Sequence, residues 1–114
     1  MVFVTGGASG IGADIVRAFA GQGAKVGFVD ILDQDGQAIA DETGAHFINC
    51  DITDVTGLKA AIDVVRNRLG NITVLVNNAA NDDRHEIDTV TEEYWDASLD
   101  LNLRPQFFAA QAVR

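Results

Sequence analysis

Eight residues near the start constrain this chain most: Thr5-Gly6-Gly7-Ala8-Ser9-Gly10-Ile11-Gly12. They stand between an apolar run, Val2–Thr5, and a stretch with helical spacing, Ile11, Ile15 and Phe19, that stops at Gly23. Four glycines in eight positions permit backbone conformations that a side chain forbids. A strand turning tightly into a helix presents unpaired N–H groups and the positive end of the helix dipole above the turn. Phosphate suits such a place. Gly6 is expected to permit the turn, Gly10 the close approach of a pyrophosphate, and Gly12 the packing of helix on strand, with Ser9 and Ile11 between them. The spacing Gly-x-x-x-Gly-x-Gly differs from the common G-x-G-x-x-G pattern. Taken alone, the cluster also fits a plain structural turn.

The rest of the chain repeats the strand–helix rhythm. Lys25–Asp30 reads as a second strand, and Asp33 as the cap of a helix ending at Gly44. Ala45–Asn49 is a short third strand. A long helix starts at Thr53 or Asp54, carries Val55, Leu58, Ile62, Val65 and Leu69 on one stripe, and closes at Gly70. Ile72–Val76 is the fourth strand, and Thr91 caps a helix bearing Trp95, Leu99 and Leu103. This alternation predicts an α/β fold, a Rossmann-type doubly wound parallel sheet with helices on both faces. Right-handed crossovers predict about four strands in the spatial order 3-2-1-4.

Asp30 ends the second strand, where a carboxylate can accept hydrogen bonds from the ribose hydroxyls of a dinucleotide and repel a 2′-phosphate. Neither Ser9 nor Ile31 supplies a cation to hold such a phosphate, so NAD is expected rather than NADP. Capping of a local turn is the structural alternative for Asp30. The net charge of −9, from 8 basic and 17 acidic residues, disfavours nucleic acid and anionic membrane surfaces as partners. No apolar run is long enough to span a bilayer. The lone Cys50 and two scattered histidines argue against a disulfide and against a metal site. A cytoplasmic location is the simplest expectation.

These residues, together with Asn77-Asn78-Ala79-Ala80, Asp51 in Cys50-Asp51-Ile52, and Asn102 in Leu101-Asn102-Leu103, resemble the short-chain dehydrogenase/reductase family over essentially the whole chain. The resemblance implies an NAD-dependent oxidoreductase moving a hydride between nicotinamide and a secondary alcohol or ketone. It implies that Asp51 bonds the adenine amino group with the Ile52 backbone beside it. It also implies that Asn78 ties the fourth strand to the sheet and flanks the cofactor, and that Ala79 and Ala80 lie against the ribose. Asn102 is implied as a catalytic residue supporting a water in the proton relay.

Three departures stand out. Ala80 replaces the glycine usual in Asn-Asn-Ala-Gly. Pro105, which lacks an N–H, predicts a kink or break near Asn102. The family's Tyr-x-x-x-Lys pair and upstream Ser are absent, since the one tyrosine, Tyr94, is followed four residues later by Ser98. Residues 1–114 are therefore expected to be the cofactor-binding portion of a longer protein, truncated before the catalytic Ser, Tyr and Lys and inactive alone. A stand-alone, non-catalytic NAD-binding module is the alternative.

The segment Asn81-Asp82-Asp83-Arg84-His85-Glu86 also resembles sugar 1-dehydrogenases of the family, although it fits a solvated loop as well. Trp95, Phe107 and Phe108 are expected in a helical core or a subunit contact, and the protein is expected to be a homo-oligomer. Cys50 is expected as a small buried apolar residue, and Asp14 as a first-turn acid.

Overall fold

The computed structural model describes all of residues 1–114. Four parallel strands, β1 (Val2–Thr5), β2 (Val26–Asp30), β3 (His46–Asn49) and β4 (Val74–Asn77), form one sheet. Their order is β3-β2-β1-β4, the expected one. The helices are α1 (Gly10–Gly21), α2 (Asp33–Thr43), α3 (Val55–Leu69), α4 (Glu92–Asn102) and α5 (Arg104–Val113). No helix is long and apolar enough to cross a membrane.

Alternate residues of a strand face opposite sides of a sheet, and the two cores follow this period. Val2, Val4 and Phe28 pack with Ala13, Val16, Ile39 and Phe47 on one face, beneath α1 and α2. Phe3 and Val29 pack with Leu58, Ile62 and Val65 of α3 and Ala109 of α5 on the other. The central strands are buried on both sides, which explains their continuous apolar runs. The α3 stripe is as expected, with Leu58, Ile62 and Val65 fully buried.

Several local expectations need correction. In α1 the buried positions are Gly12, Ala13 and Val16, while Ile11 is 74% exposed; small residues let the helix lie close to the sheet and turn Ile11 outward. Asp33 is not a cap. Leu32 occupies that position without a side-chain bond, and its N–H is taken by the Asp30 carboxylate at 3.0 Å. Asp33 joins Asp35 in the first turn of α2, where the dipole favours acids. Asp14 lies beyond the first turn of α1 and pairs with Arg17 at 3.0 Å. β4 starts at Val74, two residues later than Ile72, because its pairing with β1 begins at Val2 opposite Val74. Trp95 and Phe107 are about 60% exposed, so of the two readings given for them the helical core does not hold. Cys50 is half-buried rather than buried.

The break expected from Pro105 is present. Leu103 leaves helical geometry at φ −121° between α4 and α5, and Pro105 is buried at the start of α5, where its missing N–H is tolerated.

Candidate functional site

Above the C-terminal ends of the strands lies a cleft of about 830 Å³, on the side where open α/β sheets bind ligands. From the β1–α1 loop it is lined by Gly6, Ser9, Gly10, Ile11 and Gly12. The end of β2 adds Asp30 and Ile31, the segment after β3 adds Asp51 and Ile52, and the segment after β4 adds Asn78, Ala79 and Ala80. All twelve expected cofactor-binding residues thus meet in one place. Val29, Leu32, Cys50, Asn81, Asp82 and Leu101 complete the lining.

The floor is a hydrogen-bonded seam between β1 and β4. Gly6 adopts φ +73° and donates to the Val29 carbonyl at 2.8 Å. A methyl group on it would stand 2.9 Å from the Ala79 Cα, so only glycine lets the two loops meet. Asn78 donates its amide N–H groups to the Thr5 and Gly6 carbonyls at 3.2 and 3.1 Å. Thr5, 2% exposed, accepts at its hydroxyl from the Asn78 and Ala79 N–H groups, both at 3.1 Å. The role expected of Asn78 as a tie between strands is therefore visible. Thr5 is a partner that sequence reasoning passed over; a lone hydroxyl ending an apolar strand was the available signal.

The N-terminus of α1 is uncapped. Ser9 occupies the cap position but makes no side-chain bond, whereas Asp54 caps α3 and Thr91 caps α4 through the Gly57 and Tyr94 N–H groups, each at 3.1 Å. Gly10, Ile11 and Gly12, in the first turn of α1, line the cleft, and a first turn carries unpaired N–H groups. Gly10, at φ +56°, has open space where a side chain would be.

Asp30 accepts from the Ala8 N–H at Oδ2 and from the Leu32 N–H at Oδ1, both at 3.0 Å. The turn-capping alternative is thus realised, and each oxygen retains a further lone pair. Asp51 accepts from the Thr53 N–H and hydroxyl at Oδ1. Burial, then Asp54 and Asp51, push the Cys50 thiol above its ordinary range. The lining holds three acids, Asp30, Asp51 and Asp82, and no lysine or arginine.

Asn102 stands beside the lining rather than in it. Its Oδ1 accepts from the Asn81 N–H at 2.8 Å, and its Nδ2 donates to the Asn81 carbonyl at 2.9 Å.

The cleft brings together the uncapped N-terminus of α1 and the hydrogen-bonded carboxylate of Asp30 at the end of β2. In comparison with known proteins, the family model for short chain dehydrogenases matches residues 1–114. The chain belongs to the short-chain dehydrogenase family. Among the curated members of that family, a probable galactose dehydrogenase of Rhizobium meliloti is 51% identical over 98% of this chain and 46% of its own length. A D-xylose 1-dehydrogenase of Caulobacter vibrioides is 44% identical, with the same coverage. A blue fluorescent protein from a metagenomic library, solved in complex with NADPH, superposes with a TM-score of 0.92 at 32% identity, over 98% of this chain and 49% of that one. This short-chain dehydrogenase sequence therefore spans about half the length of the relatives it matches.

Proposed function

We infer that the chain binds NAD and forms the cofactor-binding part of an oxidoreductase that moves a hydride between nicotinamide and a secondary alcohol or ketone. The observation that carries NAD over NADP is the charge at the β2–β3 side of the cleft: Asp30 and Asp51, with no lysine or arginine in the lining. A 2′-phosphate near Asp30 would meet like charge with nothing to neutralise it.

In this reading Gly6, Ser9, Gly10, Ile11 and Gly12 hold the pyrophosphate through backbone N–H groups. Asp30 takes the adenosine ribose hydroxyls with Ile31 alongside. Asp51 and the Ile52 backbone hold the adenine, and Asn78, Ala79 and Ala80 flank the remaining ribose. Bound NAD would supply the hydride chemistry. Asn102 would support the relay water, since its pairing with Asn81 fixes where its backbone lies. Residues 1–114 lack a Tyr-x-x-x-Lys pair, so they would bind NAD without turnover.

A sugar is the substrate class we favour. The galactose and xylose dehydrogenases among the relatives support it, as does the hydroxyl-binding composition of Asn81–Glu86. The reading includes a cytoplasmic, self-associating protein. A lone cysteine fits a reducing compartment, and the exposed Trp95, Leu103 and Phe107 fit a contact between copies.

Calorimetric titration tests the cofactor. NAD should bind roughly tenfold tighter than NADP or better, the scale of one unrelieved like-charge contact, and Asp30→Ala should erase the preference. Equal binding of both cofactors to the native chain would overturn the reading of Asp30.

A further inference from the structure

Between the cleft and α4 runs the loop Asn81–Glu86, exposed throughout, of which Asn81 and Asp82 line the cleft. A solvated loop pays conformational entropy to hold one shape, so contacts that pin it bear on function. This loop is pinned on both sides of Asp82. Before it, the Asn81 backbone is held by Asn102. After it, the Asp83 N–H donates to Asn81 Oδ1 at 3.0 Å, and the Asp83 carbonyl accepts the Tyr94 hydroxyl at 3.1 Å. The Tyr94 ring also lies 3.8 Å from the His85 ring, centre to centre. Tyr94 therefore grips the loop twice from one turn of α4.

Asp82 itself enters none of the four ion pairs. It follows β4, across β1 from β2, which ends in Asp30, and from β3, which Asp51 follows. A carboxylate with free lone pairs accepts two O–H donors at once. Vicinal hydroxyls present such a pair, and a simple alcohol presents one.

We propose that Tyr94 is a positioning residue which, through the Asp83 carbonyl and the His85 ring, holds Asp82 at the cleft to accept hydrogen bonds from vicinal hydroxyls of a polyhydroxylated substrate. The proposal rests on the dehydrogenase reading above and adds the residues that select the substrate.

The test uses the protein at its full natural length, with D-galactose and D-xylose as probes and NAD affinity measured separately. Asp82→Asn should raise KM for the sugar about tenfold, as expected for one lost charge-assisted hydrogen bond. Tyr94→Ala should do the same by releasing the loop. Tyr94→Phe, which keeps the ring on His85 and loses only the hydroxyl, should fall between native and Tyr94→Ala. Affinity for NAD should stay at the native value in all three. If Tyr94→Ala fails to fold, Tyr94→Phe and Asp82→Asn carry the test. A native sugar KM in Asp82→Asn, or NAD affinity falling in step with sugar KM, would overturn the proposal. Native protein that turns over neither sugar would overturn the sugar reading as well, so the two failures are distinguishable.

Discussion

The side-chain amide of Asn102 pairs with both backbone polar groups of Asn81, at 2.8 and 2.9 Å, across 21 positions of sequence. One side chain thus ties the end of α4 to the segment leaving β4. Gln106 of α5 reinforces the joint by donating to the Asn102 carbonyl at 2.8 Å across the break at Leu103. Asn102→Ala should cost about 1 kcal/mol, the net worth of partly exposed hydrogen bonds. Asn102→Asp should cost more, because it sets a second acceptor against the Asn81 carbonyl. Urea denaturation reads both, and an unchanged midpoint in Asn102→Ala would show that the pairing carries no weight.

Gly10 and Gly12 should fail for different reasons. At Gly10 there is room for a side chain, but the positive φ costs about 1–2 kcal/mol for any L-residue. Gly10→Val should therefore fold and lose NAD affinity, because its branches fill the cleft. A methyl at Gly12 would meet the Gly6 carbonyl, a backbone atom that cannot swing aside. Gly12→Ala should cost about 2–3 kcal/mol through overpacking. Thermal melting with and without NAD separates the two. Native NAD affinity in folded Gly10→Val would remove the loop from the site.

Cys50 should be a slow nucleophile. The thiolate is the reactive form, and burial, with Asp54 and Asp51 adding to it, holds the thiol above its ordinary range. Alkylation by iodoacetamide near neutral pH should run slower than for a free thiol, and slower again with NAD, because Cys50 lines the cleft. Labelling followed by mass spectrometry would measure it.

His46 on β3 should make stability fall with acid. Partial burial, then Arg68, lower its pKa from the ordinary 6.5, so the folded chain prefers the neutral ring. The unfolded chain takes up the proton first as pH falls. The contribution is whole above about 6.5 and is lost as pH drops through that value toward the folded one. His46→Gln should flatten this part of the profile in urea unfolding between about pH 7.5 and 5.5. Parallel profiles for variant and native would contradict it.

The apolar face of α4 and α5 should drive association. Trp95 on α4, Leu103 at the break and Phe107 on α5 are each at least 60% exposed, and Leu99 is 39% exposed, while in the two helices only Pro105 and Ala109 are buried. Monomers seldom leave such a surface bare. Sedimentation over a concentration series should show association of the 114-residue chain, reduced in Trp95→Glu combined with Phe107→Glu. A single monomeric species throughout would contradict it.

Sequence and structure divide the site unevenly. The strand order follows from crossover handedness, and the choice of Asp54 over Thr53 as the α3 cap rests with the structure. The α3 stripe, the cap at Thr91 and the break before Pro105 follow from local rules, because period, capping and proline geometry act within a few residues. The exposure of Ile11 and the bond from the Ala8 N–H to Asp30 do not. Both depend on how closely α1 approaches β1 and β2, which the packing of Gly12, Ala13 and Val16 decides. For Trp95 and Phe107 the sequence left a helical core and a subunit contact both open, because helical spacing marks an apolar face without saying what covers it.

By itself the sequence determined that the glycine loop, Asp30, Asp51 and Asn78 would fall at the same end of a parallel sheet. Each ends or follows a strand, and parallel strands put all such ends on one side. Only the tertiary structure decided that Asn102 would pair with Asn81 and that Tyr94 would grip the loop around Asp82. These contacts join segments 11 to 21 positions apart, and their geometry depends on where α4 comes to rest against the sheet.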